Sequence, residues 1–402
     1  MVIRENYLQK LHQLRDKGIV KIISGVRRAG KSTLLAQFRD ELRKSGVKDE
    51  NIIARNFEDL NLLSASMKDI HDGILNGIAT NSKNYVFLDE IQNVPEFEKL
   101  VDSLFIRENI DLYITGSNAY FLSGEWATLL SGRYMEIEVL PFSFAEYLQM
   151  FDDNSRLDLR FADYLKNGGF PLGVDMFRES YDNGIDYLRG IFNTIVMKDI
   201  IEREKIADPE ALNNVLRFVF DNIGSFVSPN KIANYLRANF REIAPRTVDK
   251  FLTAACESLI IYEVNRFNIR GKEQLQTQQK YYLVDNGFRQ MLLGKEDNVD
   301  VGHLLENLVY LELRRRGYQI WVGQTKNGRE VDFVARNRQG NLEYYQVAET
   351  MRDEQTRERE LSALNSIDDN NPKIVITMDI GENNYAGIIQ INVVDWLTNA
   401  DI

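Results

Sequence analysis

With 402 residues, 44% hydrophobic and 27% charged, the chain has the composition of a soluble globular protein long enough for two or three domains. Its formal net charge of −11 argues against a surface that grips nucleic acid all over, while leaving room for one basic face. Cys256 is the single cysteine, which excludes an internal disulfide, and with only three histidines it argues against a structural zinc site. No apolar run reaches transmembrane length and the charged start lacks a signal-peptide core, so the expectation is a cytoplasmic protein without a membrane partner.

In chain order, the apolar run Ile19-Val20-Lys21-Ile22-Ile23 predicts a strand, and Ser32 to Phe38 predicts a helix. Between them Gly25-Val26-Arg27-Arg28-Ala29-Gly30-Lys31-Ser32 reads G-x-x-x-x-G-K-[ST], a phosphate-binding loop in its proper strand–loop–helix setting. Gly25, Arg27, Arg28, Ala29, Gly30, Lys31, Ser32 and Thr33 are its nucleotide-binding residues. Backbone N–H groups and the helix N-terminus attract phosphate oxygens, Lys31 reaches the β- and γ-phosphates, and the Ser32 hydroxyl holds Mg²⁺. A second strand is expected at 51–57 and a helix near 66–80.

Tyr85-Val86-Phe87-Leu88 then runs into Asp89-Glu90, a Walker B pattern. Asp89 is expected in the shell of Mg²⁺ and Glu90 beside the attacking water; the alternative is a buried strand with a solvated acidic end. The strand 111–115 ends in Gly116-Ser117-Asn118. Ser117 and Asn118 are candidates for a γ-phosphate sensor, and plain turn chemistry is the competing account. Arg133 precedes the last core strand, 135–140, and is a candidate for neutralising transition-state charge in cis or from a neighbouring subunit. No Asn-Lys-x-Asp motif follows a core strand, so adenine is preferred and the expected cofactors are ATP and Mg²⁺. The alternation implies an α/β fold, a parallel sheet with helices on both faces.

These segments resemble the AAA-type ATPases of bacteria and archaea that carry a C-terminal domain of unknown function. Pro141-Phe142-Ser143-Phe144-Ala145-Glu146-Tyr147, Gly168-Gly169-Phe170-Pro171 and Asp199-Ile200-Ile201-Glu202-Arg203 fit the same family, as does Ser131-Gly132-Arg133. The resemblance implies ATP binding and hydrolysis and leaves the driven task open.

Four segments are expected: an ATPase core over 1–150, a helical lid or linker over 151–205, a winged helix over 206–290 and a nuclease-like domain over 291–402. The winged-helix reading rests on helices at 211–223, at 231–236 after the Ser228-Pro229 start, and from Pro245, followed by a hairpin from 259–264 and 280–284. In a DNA-binding version Arg246, Thr247 and Lys250 face the major groove, and Arg266, Arg270 and Lys272 meet phosphates of double-stranded DNA. In the other version the module only packs or binds a protein partner, a reading that Asp249 favours.

From about residue 300 the order helix (304–311), strands (318–322, 330–334, 342–348), helix (357–366), strand (373–377) is similar to the restriction-endonuclease-like PD-(D/E)XK fold. That resemblance implies metal-binding acids at Glu306 and Asp332. Gln346 stands where the next acid belongs and Ala348 where the lysine belongs, so a nuclease fold used for binding or regulation is expected. Lys326 is a candidate substitute from a neighbouring strand. The whole-chain reading is a Mg²⁺-dependent ATPase acting on nucleic acid or a protein. The alternatives are a non-hydrolysing, ATP-bound DNA regulator and an ATP-assisted nuclease.

Overall fold

The structure, a computed structural model, describes residues 2–117, 132–240, 242–271, 273–294 and 300–399. It divides into two compact units, Met1–Pro141 with Glu257–Leu259, and Phe142–Cys256 with Ile260–Ile402.

The first unit is built on five parallel strands, β1 (Val20–Ser24), β2 (Ile52–Asn56), β3 (Asn84–Asp89), β4 (Ile110–Thr115) and β5 (Tyr134–Glu138), in the order β2-β3-β4-β1-β5. Both faces of the central strands are buried, which is why β1 and β4 read as near-continuous apolar runs. Val86, Leu88, Leu112 and Ile114 pack with Phe97, Leu100, Val101 and Leu104 from the helix Phe97–Phe105 in one apolar core. Two charges interrupt that pattern. Lys21 and Asp111 are both fully buried and form an ion pair across β1 and β4. Asp111 Oδ2 also accepts from the Tyr113 hydroxyl (2.7 Å) and from the Asp16 N–H (3.1 Å). Burial pushes the Lys21 ammonium down, against the pull of Asp111.

The second unit begins with helices Phe144–Leu148, Leu157–Asn167, Pro171–Glu179 and Tyr181–Thr194. Pro141-Phe142-Ser143-Phe144-Ala145-Glu146 contains a reciprocal helix start: the Ser143 hydroxyl accepts from the Glu146 N–H and the Glu146 carboxylate from the Ser143 N–H. The Gly168-Gly169 pair also has a physical reason. Asp285 is buried and accepts the N–H groups of Gly169 (2.7 Å) and Gly287 (2.8 Å), while Gly168 sits at φ +79°. A Cβ on Gly168 would lie 1.7 Å from Asp285 Oδ1. Gly168→Ala is therefore expected to destabilise the second unit by more than the roughly 1–2 kcal/mol that left-handed backbone costs a residue with a Cβ. Chemical denaturation of the full chain measures it, and an unshifted transition of this unit would show that Asp285 swings aside.

Helices Pro209–Asp221, Pro229–Asn239 and Pro245–Glu257 follow, and then a long hairpin of β7 (Ile261–Asn268) and β8 (Glu273–Leu283). Ser228 caps the middle helix and Pro229 opens it. The hairpin does not stand apart from the C-terminal strands. With β6 (Phe226–Val227), β9 (Gln319–Gln324), β10 (Glu330–Arg336), β11 (Leu342–Ala348), β12 (Lys373–Thr377), β13 (Asn383–Tyr385) and β14 (Ile388–Asn392) it forms one nine-stranded mixed sheet, β13-β14-β12-β11-β10-β9-β7-β8-β6. The join is parallel pairing of β7 with β9 over Arg266–Asn268. No described helix is long and apolar enough to cross a membrane.

Candidate functional site

The loop after β1 is shaped by close backbone approach. Gly25 adopts φ +142°, and a Cβ there would lie 2.2 Å from the Val139 carbonyl oxygen. Gly30 (φ +96°) and Arg28 (φ +68°) are left-handed, turning the chain into the helix Lys31–Lys44. Lys31 is 4% exposed; its ammonium donates to the Gly25 carbonyl at 2.9 Å and to the Val26 carbonyl at 3.3 Å. Ser32 and Thr33 are exposed at the helix N-terminus, Arg28 is exposed, and Arg27 is half-buried 3.4 Å from Glu58. Ala29 is buried and Arg4 braces it: the buried Arg4 guanidinium donates to the carbonyls of Ala29 (2.9 Å) and Leu140 (2.8 Å). Sequence reading passed over Arg4, since nothing in Met1–Glu5 signals that its side chain braces a loop 25 residues away.

At the C-terminal edge of the same sheet, Asp89 ends β3 and Glu90 follows in the left-handed conformation at φ +54°. Such a backbone costs a residue with a Cβ about 1–3 kcal/mol and persists where its surroundings hold it. Here Thr115 does so. Its hydroxyl accepts the Glu90 N–H at 2.8 Å and donates to Asp89 Oδ1. The Glu90 carboxylate lies 3.7 Å from the Lys31 ammonium, and Gln92 donates to Glu90 and, at 3.3 Å, to the buried Ser117 hydroxyl. β4 lies between β1 and β3, which delivers Thr115 and Ser117 to this point. Thr115 and Gln92 had no assigned role in the sequence reading, although both flank its motifs. Asn118 lies outside the described residues.

Arg133 is a different matter. Its carbonyl accepts from Val20, the first residue of β1, whereas the phosphate loop follows the last. In a parallel sheet this puts Arg133 at the opposite edge, a strand length of about 16 Å away at 3.3 Å per residue. Its exposed guanidinium lies 4.0 Å from Asp102 and over the Phe105 ring. The geometry therefore corrects the expectation of a role in cis.

In the second unit, Arg246, Thr247 and Lys250 are exposed on the first turns of the helix Pro245–Glu257, with the Lys250 ammonium donating to the Glu204 carbonyl at 3.1 Å. Arg270 is exposed at the hairpin turn. Arg266 is half-buried, its guanidinium 5.0 Å from the Phe226 ring centroid and its Nε without a hydrogen bond among the described residues, so it is not a wing-tip residue. Lys272 lies outside the described residues.

Glu306 and Asp332 are buried, and a lysine absent from the sequence reading stands with them. Lys280, on β8, donates to Glu306 at 2.8 Å and lies 2.5 Å from Glu330; Tyr282 donates to Glu306 at 2.6 Å. Burial opposes the charge of Lys280, but Glu306, Asp332 and Glu330 together raise it above the ordinary lysine range. Burial and then the Glu306 charge push the Asp332 carboxyl well above the carboxylate range. Asp332 sits where the β9–β10 register shifts and accepts the Val347 N–H at 2.8 Å. Gln346, also buried, donates to Glu360 at 3.0 Å, and among the described residues its Oε1 has no partner. Lys326 is exposed in a turn. Among the described residues no three His, Cys, Asp or Glu side chains converge to hold a metal. Sequence pattern missed Lys280 because strand pairing between β7 and β9, not spacing along the chain, brings the hairpin beside the acids.

A five-stranded parallel sheet of this order, with a phosphate loop after β1 and β4 inserted between β1 and β3, defines an AAA-type P-loop ATPase fold. The AAA domain family matches residues 17–148, and two families described as domains of unknown function (DUF8612 and DUF4143) match 158–299 and 301–395. An uncharacterised protein of Haemophilus influenzae is 42% identical over 403 residues, covering 99% of this chain and 98% of that protein. An uncharacterised protein of Methanocaldococcus jannaschii is 29% identical over 384 residues, 90% of this chain and 83% of its own length. Among solved structures, a Walker-type ATPase of Pyrococcus abyssi shares the fold at a TM-score of 0.50 and 17% identity, over 73% of this chain and 96% of that one. The chain belongs to the family of the Haemophilus influenzae protein, with an AAA domain at its N-terminal end.

Proposed function

We propose that the chain is a Mg²⁺-dependent ATPase whose turnover is coupled to a nucleic-acid or protein partner. The observation that carries it is Glu90, held in an unfavourable backbone conformation beside Lys31 and tied through Thr115 to Asp89. A residue this constrained, at the end of the strand facing a phosphate loop, is placed to orient and deprotonate water. The loop amides and Lys31 bind the phosphates, and Ser117, with Gln92 against it, is the candidate γ-phosphate contact. The donor set fits a hard cation: Ser32 is open at the helix N-terminus and Asp89 ends the Walker strand, so these two would hold Mg²⁺, which supplies charge neutralisation on the β- and γ-phosphates. Arg133 is retained only as a residue acting on a neighbouring subunit's nucleotide.

The second unit is proposed to engage the partner. Its helix–helix–helix–hairpin order suits a winged helix, with Arg246, Thr247, Lys250 and Arg270 exposed for double-stranded DNA. The C-terminal part is proposed as a nuclease-like fold without cleavage. In it Glu306, Asp332 and Glu330 surround the internal cation of Lys280 in a structural role.

Steady-state Mg²⁺-ATP hydrolysis, with and without double-stranded DNA, tests this reading. Wild type is expected to turn over and Lys31→Ala to lose ATP binding. DNA is expected to raise the rate, with the stimulation lost in Arg246→Ala/Lys250→Ala. Tight ATP binding with no turnover would replace the enzyme by a nucleotide-bound regulator, and indifference to DNA would shift the partner to a protein.

A further inference from the structure

The two oxygens of the Glu90 carboxylate have different neighbours. Oε1 lies 3.7 Å from the Lys31 ammonium, whereas Oε2 accepts a hydrogen bond from the side-chain amide of Gln92. The same amide nitrogen donates at 3.3 Å to the buried hydroxyl of Ser117, just beyond the end of β4. Both N–H groups of Gln92 are spent in this way. One anchors the amide to the neighbouring strand and the other holds the carboxylate.

Gln92 has little freedom of its own. The chain leaves Glu90 as a short helical turn, Ile91–Asn93, in which the Asn93 N–H donates to the Glu90 carbonyl at 3.1 Å. Ile91 is buried in the apolar core on one side of Gln92, and on the other the Asn93 side chain donates to the Phe57 carbonyl at 3.2 Å. A residue two places after Glu90 is thereby fixed with its amide against the Glu90 carboxylate.

The second observation is a cost. Gln92 Oε1 is buried and has no hydrogen-bond partner among the described residues. A buried acceptor without a donor disfavours the folded state, and such a group in a candidate site calls for a reason. The satisfied part of Gln92 is its N–H₂ group, which faces Glu90 and Ser117.

Resting on the ATPase reading above, we propose that Gln92 is a positioning residue for Glu90. It pins the carboxylate at Oε2, so that Oε1 is the oxygen that takes the proton of water. In that step the water oxygen bonds to the γ-phosphorus, the bond from phosphorus to the ADP oxygen breaks, and the water proton passes to Oε1. Lys31 stands beside the same oxygen. When its ammonium turns to phosphate, a carboxylate pinned at Oε2 keeps its direction instead of following.

Steady-state Mg²⁺-ATP hydrolysis and equilibrium ATP binding by the full chain test this, for wild type, Gln92→Leu, Glu90→Gln and the double variant. Gln92→Leu is expected to lose about 10- to 10²-fold in kcat, the scale of a misaimed catalytic group, with ATP affinity unchanged. In the Glu90→Gln background the same substitution should cost nothing further, because residues acting as a unit are not additive. A packing role would slow both backgrounds alike. Gln92→Asn keeps the amide but shortens its reach; it should behave as Gln92→Leu does, and it decides the matter if Gln92→Leu fails to fold. Wild-type rates in these variants, a loss confined to ATP affinity, or an equal loss in both backgrounds overturns the proposal and leaves the ATPase reading standing. A wild type that binds ATP without turnover overturns both.

Discussion

Glu90→Gln is expected to bind ATP and to hydrolyse it about 10²–10⁴-fold more slowly, the range for loss of a positioned general base. The substitution keeps the shape of the side chain and leaves the backbone clasp intact, because Thr115 accepts the Glu90 N–H rather than its carboxylate. It removes only the base and the attraction to Lys31, 3.7 Å away. With that attraction gone Lys31 is freer to meet phosphate, so ATP affinity should hold or improve while kcat collapses. Single-turnover kinetics beside a direct binding measurement separate the two effects. A variant that turns over at the wild-type rate would remove Glu90 from the chemistry and leave its conformation to be explained by packing.

Asp111→Ala should be among the most destabilising changes available in the first unit. It strips the partner from Lys21, a fully buried ammonium on β1, and leaves the Tyr113 hydroxyl and the Asp16 N–H without their acceptor. Breaking one side of a buried ion pair costs about 3–5 kcal/mol, roughly 6–20 °C in the melting of a unit this size. The double replacement Lys21→Met/Asp111→Leu removes both charges together and should recover most of that loss. Hydrogen exchange of the β1 and β4 amides assigns the effect to this unit. A small loss in Asp111→Ala would mean that Lys21 is neutral or reaches water. A double variant as unstable as the single one would mean that the charges do more than cancel.

The helices Glu5–Leu14 and Phe97–Phe105 were not readable from residues alone, whereas the phosphate-loop motif and the five strands of the first unit were. Their signals are local: a glycine spacing that permits the turn, an apolar run that predicts a buried strand, and an acid at its end. The same holds for Ser228-Pro229 as a helix start, where the cap bonds its own next turn.

What pattern could not supply is every role that depends on which strand lies beside which. Thr115 became the clasp of Asp89 and Glu90 because β4 lies between β1 and β3. Arg133, near the site in motif order, sits at the far edge because parallel strands begin at one side of a sheet and end at the other. Arg4 acts on a loop remote along the chain, and Lys280 reaches Glu306 only because a hairpin joins a sheet with strands that follow it by dozens of residues. Composition and periodicity record the local backbone preferences and burial of each segment. Pairings between distant segments carry no such mark, because a side chain's charge and hydrogen bonds are satisfied by neighbours that only the assembled sheet brings within reach.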